Sequence, residues 1–360
     1  MASDSALPMA PLRPVTGRSV WYGRDLSKQT DWIYALSDRD VAEIQSAVDS
    51  VRSRGSPMSS VTRAEFALPN LGSTLDAMQH EVVNGRGFVL IRGLRVEQIN
   101  REDAAFAYWG IGTYFGRAVS QNAQGHLLGH VKDLGRDPAK PDTRIYQTNA
   151  RHRYHTDSSD IVALLCLRPA KHGGASSIVS STTVYNEMRS RKPELAAELL
   201  RPMHVDRKGE VPEGKGPHYR MAVFHWYEDL LSAIYARDFI ESAQRFPDVP
   251  RLTDQQIAAM DLLDELSADP TLRLDMHLAP GDMQFLHNHQ ILHARTAYED
   301  HLEPERRRHL LRLWLTPPNG RPLPVVFGER YGSVEVGQRG GIQVPGTQLV
   351  TPLEAEVGVG

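Results

Sequence analysis

The sequence predicts a mainly β protein with helical decoration, an α+β chain built around a double-stranded β-helix, or jelly-roll, core. Two observations support this prediction. Short apolar runs separated by turn residues recur over 144–181 and again over 272–316, which is typical of two packed antiparallel sheets. A few helix-like segments come early, within 37–116, and favour helices that decorate this core.

The first third of the chain predicts an arm, three helices and two strands. Residues 1–20, which begin rich in Pro, Ala and Ser, are predicted to be an arm or a disordered start. Ser37 is a predicted N-cap for a helix with apolar residues at 41, 44 and 48. Further helices are predicted over 71–83 and 101–116, and strands over 87–93 and 127–131.

Strands are predicted to dominate the remainder, at 144–148, 154–157, 161–167, 176–181, 272–278, 283–285, 291–294 and 309–316. Helices are expected over 183–192 and from an N-cap at Thr253 through 263. A hairpin arm would join 201–211 to 218–226, and a Gly/Pro-rich tail on the surface would follow Pro317. We therefore expect residues 21–360 to form a single jelly-roll domain with a 201–270 insert.

Composition limits the classes of protein that this chain can be. Its 360 residues can bury a substantial core, and a formal charge of −3 gives no electrostatic reason to expect nucleic acid or an anionic membrane as partner. Cys166 is the only cysteine, which excludes an internal disulfide and a cysteine-based zinc cluster. No apolar run approaches the roughly 20 residues of a membrane span. We expect a soluble, cytoplasmic protein; the sequence leaves open whether it forms a homo-oligomer.

Metal chemistry is indicated first by the segment that carries His155 and Asp157. In a β-strand these two side chains would share a face. A third ligand would come from His287, His289 or His293, whose even spacing allows all three to share a face unless a turn at 288–290 breaks the parity. Two histidines and a carboxylate leave the opposite metal positions open, as in non-haem Fe(II) oxygenases.

Other interpretations of these residues remain open. His155 and Asp157 could be solvated at a strand end, and His152 and Asp160 are rival ligands. Arg312 stands among Leu310, Leu311, Leu313 and Trp314, where a buried guanidinium is costly unless it is paired. It would face solvent on an edge strand, pair with a core carboxylate, or bind a carboxylate ligand through a bidentate contact.

Six motifs in order resemble one known family. They are Gly87-Phe88-Val89-Leu90-Ile91-Arg92-Gly93, His155-Thr156-Asp157, Gly173-Gly174-Ala175-Ser176, Pro280-Gly281-Asp282, His293-Ala294-Arg295-Thr296 and Arg308-His309-Leu310-Leu311-Arg312. From about residue 87 to 316 the chain is similar to the TauD/TfdA family of Fe(II)/2-oxoglutarate-dependent dioxygenases, which includes the clavaminate-synthase-like enzymes.

The resemblance implies a set of site residues and a reaction. His155, Asp157 and His293 would be the Fe(II) ligands. Arg312 would bind the distal carboxylate of 2-oxoglutarate together with Ser176, which stands where family members often carry Thr, while Arg308 would lie near the other end of the co-substrate. Oxidative decarboxylation of 2-oxoglutarate by O₂ would yield succinate and CO₂ and drive hydroxylation, desaturation or cyclisation. Because Asp157 is present, halogenation is not expected.

Two other classes of function could use some of the same residues. A zinc hydrolase could use the same three ligands, but the chain has no His-Glu-x-x-His segment and nothing would then explain the arginine that follows the distal histidine. A jelly-roll binding protein without catalytic activity would not need the intact ligand set. The arginines near His155 favour a small, polar or carboxylate-bearing substrate, and Cys166, in an apolar strand, is predicted to be a core residue.

Overall fold

The computed structural model describes residues 12–137 and 143–355 of the chain. The helices in this part are α1 Gly23–Leu26, α2 Asp38–Ser53, α3 Gly72–Asn84, α4 Arg101–Phe115, α5 Ser181–Arg191, α6 Pro193–Glu198, α7 Arg237–Ser242, α8 Asp254–Ala268 and α9 Gly328–Tyr331. The early strands are β1 Ile33–Ala35, β2 Phe88–Arg92, β3 Arg117–Ala118, β4 Leu128–Val131, β5 His152–His155, β6 Ile161–Arg168, β7 His172–Gly173 and β8 Ser176–Ser180. The later strands are β9 Met203–Asp206, β10 His218–Met221, β11 Phe224–Tyr227, β12 Leu230–Ala233, β13 Leu274–Met276, β14 Met283–His287, β15 Ile291–Arg295, β16 Tyr298–Glu299 and β17 His309–Thr316.

Two sheets form the jelly-roll core, as the sequence predicts. The larger sheet has the strand order β1-β2-β14-β6-β17-β3, and β4 also pairs with β17. The smaller sheet has the order β13-β8-β15-β5. Neighbours are antiparallel in both sheets except for the parallel pair of β1 and β2. The predicted ligands His155 and His293 lie on the smaller sheet, and Arg312 lies on the larger one.

Strand alternation explains what each sheet buries. In β17, Leu311 and Leu313 pack against the layer of α2, α3 and α4, while Trp314 faces the smaller sheet and meets Ile178 of β8 in the cluster between the sheets. The smaller sheet packs its other face, including Leu292, on α5, α6 and α8. The chain is thus layered helix, sheet, sheet, helix. No helix in the described ranges is long and apolar enough to cross a bilayer.

Local signals place the main helices well. Ser37 caps α2 in a capping box with Asp40, and Thr253 caps α8 in a capping box with Gln256. The predicted helices at 71–83 and 101–116 and the buried strand at 87–93 are confirmed within a residue or two at each end. In each case the spacing of apolar residues and the residues at the ends of the element predict the same bounds.

Three predictions of secondary structure were wrong or incomplete. The strand predicted at 144–148 is a 3₁₀ helix at Ile145–Gln147, and the strand predicted at 154–157 ends at His155. The long hairpin is instead two short ones, β9 with β10 and β11 with β12. Positive φ angles at Glu228 and Asp229, 46° and 63°, turn the second hairpin, as in a type I′ turn. A turn conformation of this kind at non-glycine residues carries little sequence signal.

The two ends of the chain do not lie free where the structure describes them. Residues 1–11 of the predicted arm fall outside the described part, but the backbone N–H of Val15 donates to Asn186 of α5. The prediction that the segment after Pro317 lies on the surface needs correction. Phe327 and Tyr331 are buried together, and Arg339 is only 1% exposed. The tail closes over the sheets because aromatic and cationic side chains within the Gly/Pro-rich sequence find buried partners.

Acid should destabilise the fold through buried neutral histidines. Burial, reinforced by the charge of His130, lowers the pKa of His309 to about 2; the His130 Nδ1 to His309 Nε2 distance is 2.8 Å. The unfolded chain takes up this proton near its ordinary pKa of about 6.5, so stability is lost as pH falls below that value. From pH 7 to 5 this single group should cost about 2 kcal/mol.

Urea unfolding at pH 7 and pH 5 measures this loss. His309→Gln should reduce the difference between the two pH values, whereas His80→Gln, at an exposed helical position, should leave it unchanged. Equal stability of the wild-type protein at both pH values would contradict the expectation.

Candidate metal centre and its cavities

Three predicted ligands converge between the two sheets. His155 ends β5, Asp157 follows in the next loop, and His293 lies in β15 directly opposite His155. The Nε2 atoms of His155 and His293 lie 3.7 and 3.9 Å from the two carboxylate oxygens of Asp157. These distances are too long for hydrogen bonds, and one donor atom from each residue lies within 4.8 Å of the others. The arrangement suits a single ion at the centre.

The protonation of the two imidazoles also suits a metal. Nδ1 of His155 lies 2.8 Å from the carbonyl oxygen of Arg153, so it can donate its proton there and leave Nε2 as a lone pair. Burial lowers the pKa of His155, and burial together with the nearby His155 lowers the pKa of His293 to about 3. Both rings are therefore neutral at pH 7, as metal ligands must be.

Asp157 is held as a carboxylate by its neighbours. Burial alone would raise the pKa of Asp157, but the positive charge of Arg312, with Nη1 3.6 Å from Oδ2, and the hydrogen bond from Trp314 Nε1 at 2.9 Å help to bring it below its usual value. The backbone N–H of Asp157 donates to the side-chain oxygen of Asn288 at 3.0 Å. Asn288 in turn donates to the carbonyl oxygen of Ser159. The ligand loop is thus tied to the turn between β14 and β15.

Removal of Asn288 should loosen this ligand loop. Asn288→Ala is expected to weaken divalent-metal binding about 10–100-fold, the usual effect of losing a residue that orients a ligand. Competition with a chelating dye measures the affinity, and circular dichroism confirms folding. Asn84→Ala, at the exposed end of α3, is the matched control. Unchanged affinity in folded Asn288→Ala would show that the loop holds Asp157 without this contact.

A second cluster resembles a metal site but is already neutralised. Asp160, His287 and His289 also bring donor atoms within 4.8 Å of one another. However, Asp160 forms a short buried contact with Arg339 and accepts hydrogen bonds from His289 at 3.0 Å and Thr316 at 3.2 Å. A paired, saturated carboxylate of this kind serves as a structural junction that fastens the C-terminal segment. These contacts occupy the carboxylate that a metal at this position would need.

The turn at 288–290 settles which of the three downstream histidines reaches the candidate centre. Residues 288–290 connect β14 to β15 and reverse the chain, so His287 and His289 face the junction at Asp160 while His293 faces His155. The rival His152 stacks on His155, with 3.8 Å between ring centroids, and lines the same cavities.

An inner cavity extends from the three ligands to Arg308 and Ser176. Arg308 is buried, and burial lowers the pKa of its guanidinium. Its Nη1 atom has no hydrogen-bond partner in the described part of the chain. Ser176 lines this cavity and donates to Gln284 at 3.0 Å, so its hydroxyl oxygen can still accept a hydrogen bond. A buried guanidinium with an unpaired N–H group is costly, so Arg308 is suited to pair with a carboxylate in this cavity.

Arg312 occupies a different position from Arg308. It lines both the inner cavity and an outer one that opens past Tyr146. Its Nε atom donates to Gln121 at 2.6 Å, and its guanidinium carbon lies 4.5 Å from the centre of the Tyr146 ring. Strand alternation in β17 explains its burial among leucines, since Leu311 and Leu313 point to the opposite face. The paired-carboxylate interpretation of Arg312 matches its contact with Asp157.

Sequence reasoning missed the residues that support the ligands. The sequence assigns no supporting role to Trp314, Asn288 or Gln121, although each contacts Asp157 or Arg312. Only Trp314 had a usable signal, because alternation places it on the same face of β17 as Arg312.

Comparison with protein families gives one match over most of the chain. Residues 54–314 match the family described as Taurine catabolism dioxygenase TauD, TfdA family. FR-33289 synthase of Streptomyces rubellomurinus is 33% identical over 330 residues, which cover 89% of this chain and 96% of that protein. Taurine hydroxylase-like protein SAT17 of Stachybotrys chartarum is 28% identical over 319 residues, covering 83% and 80% of the two chains.

Solved structures share the fold. The crystal structure of an asparagine oxygenase in complex with Fe(II), 2S,3S-3-hydroxyasparagine and succinate superimposes with a TM-score of 0.59. That match covers 79% of this chain and 93% of the other, at 15% sequence identity. At 15% sequence identity, this similarity supports a shared fold and nothing beyond it.

Proposed function

The chain belongs to the TauD/TfdA dioxygenase family, and from this premise we propose that His155, Asp157 and His293 hold the iron of a non-haem Fe(II)/2-oxoglutarate-dependent oxygenase. The protein is an enzyme of this class, with Fe(II) as its metal and 2-oxoglutarate and O₂ as co-substrates. The observation that carries the assignment is the facing pair of neutral imidazoles with one carboxylate between them. The hydrolase and binding-protein alternatives are not favoured.

When bound, the iron and its co-substrates supply the oxidising chemistry: 2-oxoglutarate and O₂ become succinate and CO₂, and one oxygen atom is available to the substrate. The protein chain holds the metal ligands in position. Two strands and one loop carry the three proposed ligands. All three line the inner cavity, and His155 and Asp157 also line the outer one, where the primary substrate would bind. Trp314 and Arg312 keep Asp157 ionised and oriented. An Asp at this ligand position favours hydroxylation, desaturation or cyclisation over halogenation.

The two arginines are best assigned in the reverse of the order predicted from sequence. Arg308 and Ser176 both line the inner cavity, and Arg308 has an unpaired N–H, so it suits the distal carboxylate of 2-oxoglutarate. Arg312 is partly satisfied by Gln121 and Asp157 and lines the outer cavity. It therefore suits a position between the iron and the primary substrate.

The primary substrate is proposed to be a small, polar or anionic molecule bound in the outer cavity. The lining of that cavity combines six cationic side chains and three carboxylates with tyrosines and apolar residues, so cationic groups outnumber anionic ones. A cytoplasmic location and any homo-oligomer remain predictions from the sequence.

Steady-state turnover tests the proposed activity. Purified protein with Fe(II), ascorbate and labelled 2-oxoglutarate should release labelled CO₂ slowly without a primary substrate, and the release should stop when iron or O₂ is withheld. Acceleration by members of a panel of small anions would identify substrates. Release that is independent of iron would contradict the assignment.

A further inference from the structure

Three of the cationic side chains that line the outer cavity lie near Glu210 or near the ring of Phe239. Arg144 pairs with Glu210 at 2.7 Å, and Nη2 of Arg330 lies 3.6 Å from the other oxygen of Glu210. The Lys208 ammonium group and the Arg144 guanidinium group both approach the Phe239 ring, at 4.7 and 5.0 Å from its centre. All four charged residues line this cavity together with His155 and Asp157.

The charges of this group do not balance. Arg144 and Arg330 share the single carboxylate of Glu210, so these two arginines carry one positive charge more than their partner. Two other carboxylates near Lys208 are occupied elsewhere, since Asp206 pairs with Arg245 at 2.9 Å and Asp238 lies 3.5 Å from Arg153. Among the described residues, Lys208 has no carboxylate partner of its own.

Lys208 is also held in an unusual backbone conformation. Its φ is +47°, a left-handed value that a lysine rarely adopts. Its backbone N–H donates to Asp206 at 2.7 Å, which fixes this turn. Strained residues of this kind cluster at ligand-binding sites. Burial and the neighbouring Arg144 lower the pKa of the Lys208 ammonium, as expected for a cation that lacks an anionic partner.

We propose that Arg144, Lys208 and Arg330 form a binding site for a tetrahedral, doubly charged phosphoryl group, a phosphonate or a phosphate monoester, on the primary substrate. This inference rests on the proposed function, because the same cavity must hold the substrate beside the iron. Two arginines that share one carboxylate, together with a lysine that has no carboxylate partner of its own, favour a doubly charged anion. The two guanidinium groups and the ammonium group offer several N–H donors, which suits a tetrahedral anion; a planar carboxylate is satisfied by a single bidentate arginine.

The site is connected to the metal centre through one residue. Arg330 Nε donates to the Ser158 hydroxyl at 2.7 Å, and Ser158 directly follows the ligand Asp157. An anion held here would anchor one end of a small substrate while the remaining part extends past Arg312 toward the iron. The site would thus set which carbon of the substrate is presented for oxidation.

Calorimetric titration of the anaerobic Fe(II)–2-oxoglutarate enzyme tests the site. At pH 8, where phosphate esters are dianions, methylphosphonate and methyl phosphate should bind, and acetate and methanesulfonate should bind at least about 10-fold more weakly. Lys208→Met should weaken phosphoryl binding about 10–100-fold, whereas Lys28→Met, at an exposed position, should not.

Several results would overturn the site. These are equal binding by Lys208→Met, a preference for acetate or methanesulfonate, or no binding of any phosphoryl probe. Loss of the iron chelate absorption during the titration would also overturn it, because it would place the anion at Arg308 in competition with 2-oxoglutarate. If wild-type enzyme forms no such chelate at the start, the proposed function fails; the metal-free protein then tests the anion site separately.

Discussion

Asp157→Ala is expected to abolish 2-oxoglutarate turnover, with a fall of at least about 1000-fold in kcat, or about 4 kcal/mol in the activation barrier. The substitution removes the only carboxylate among the three donor atoms at the centre. It also leaves Arg312 and Trp314 without the oxygen that they contact. Release of labelled CO₂ measures turnover, and chelator competition measures the accompanying loss of iron affinity.

The variant should still fold, since Asn288 binds the backbone N–H of residue 157 and not its side chain. Circular dichroism melting checks this. A matched control is Asp248→Ala, which removes the carboxylate of an exposed pair with His218, 3.1 Å apart. Asp157→Ala with near-normal turnover, in the presence of iron, would mean that the metal is held elsewhere.

Arg308→Met should raise the dissociation constant for 2-oxoglutarate about 100-fold, because it removes a buried charge that would pair with the distal carboxylate. Methionine keeps much of the side-chain volume against Tyr298, whose ring centre lies 5.1 Å from the guanidinium carbon. Arg312→Met should affect 2-oxoglutarate binding far less and should instead reduce coupling to the primary substrate.

Arg306→Met is the control for Arg308, since Arg306 lies on the same loop and is largely exposed beside Glu303. Calorimetry or the 2-oxoglutarate dependence of CO₂ release provides the measurement. If Arg312→Met loses 2-oxoglutarate affinity while Arg308→Met retains it, the assignment predicted from sequence is correct and the one drawn from the cavities is wrong.

Much of the fold follows from local patterns. The caps at Ser37 and Thr253, the glycine-bounded strand at 87–93 and the apolar alternation of 309–316 each specify an element through nearby residues. The tail after Pro317 could not be predicted in this way. Its burial depends on long-range contacts, chiefly that of Arg339 with Asp160. The spacing of residues within the tail gives no indication of such a contact.

The site shows the same division between local and long-range information. His155 and Asp157 were paired by strand parity, but β5 ends at His155, and Asp157 reaches the centre because Asn288 holds its loop. The choice of His293 required the turn at 288–290. The roles of Arg308 and Arg312 differ through the cavities that they line, which depend on both sheets at once.

The most direct test of the account is anaerobic titration of metal-free protein with Fe(II) and then 2-oxoglutarate, followed by visible absorption of the iron chelate. The wild-type protein should develop a weak charge-transfer band. That band should be absent in His155→Ala, and Arg308→Met should need far more 2-oxoglutarate to form it. A wild-type protein that binds iron and shows no band at saturating 2-oxoglutarate would contradict the account.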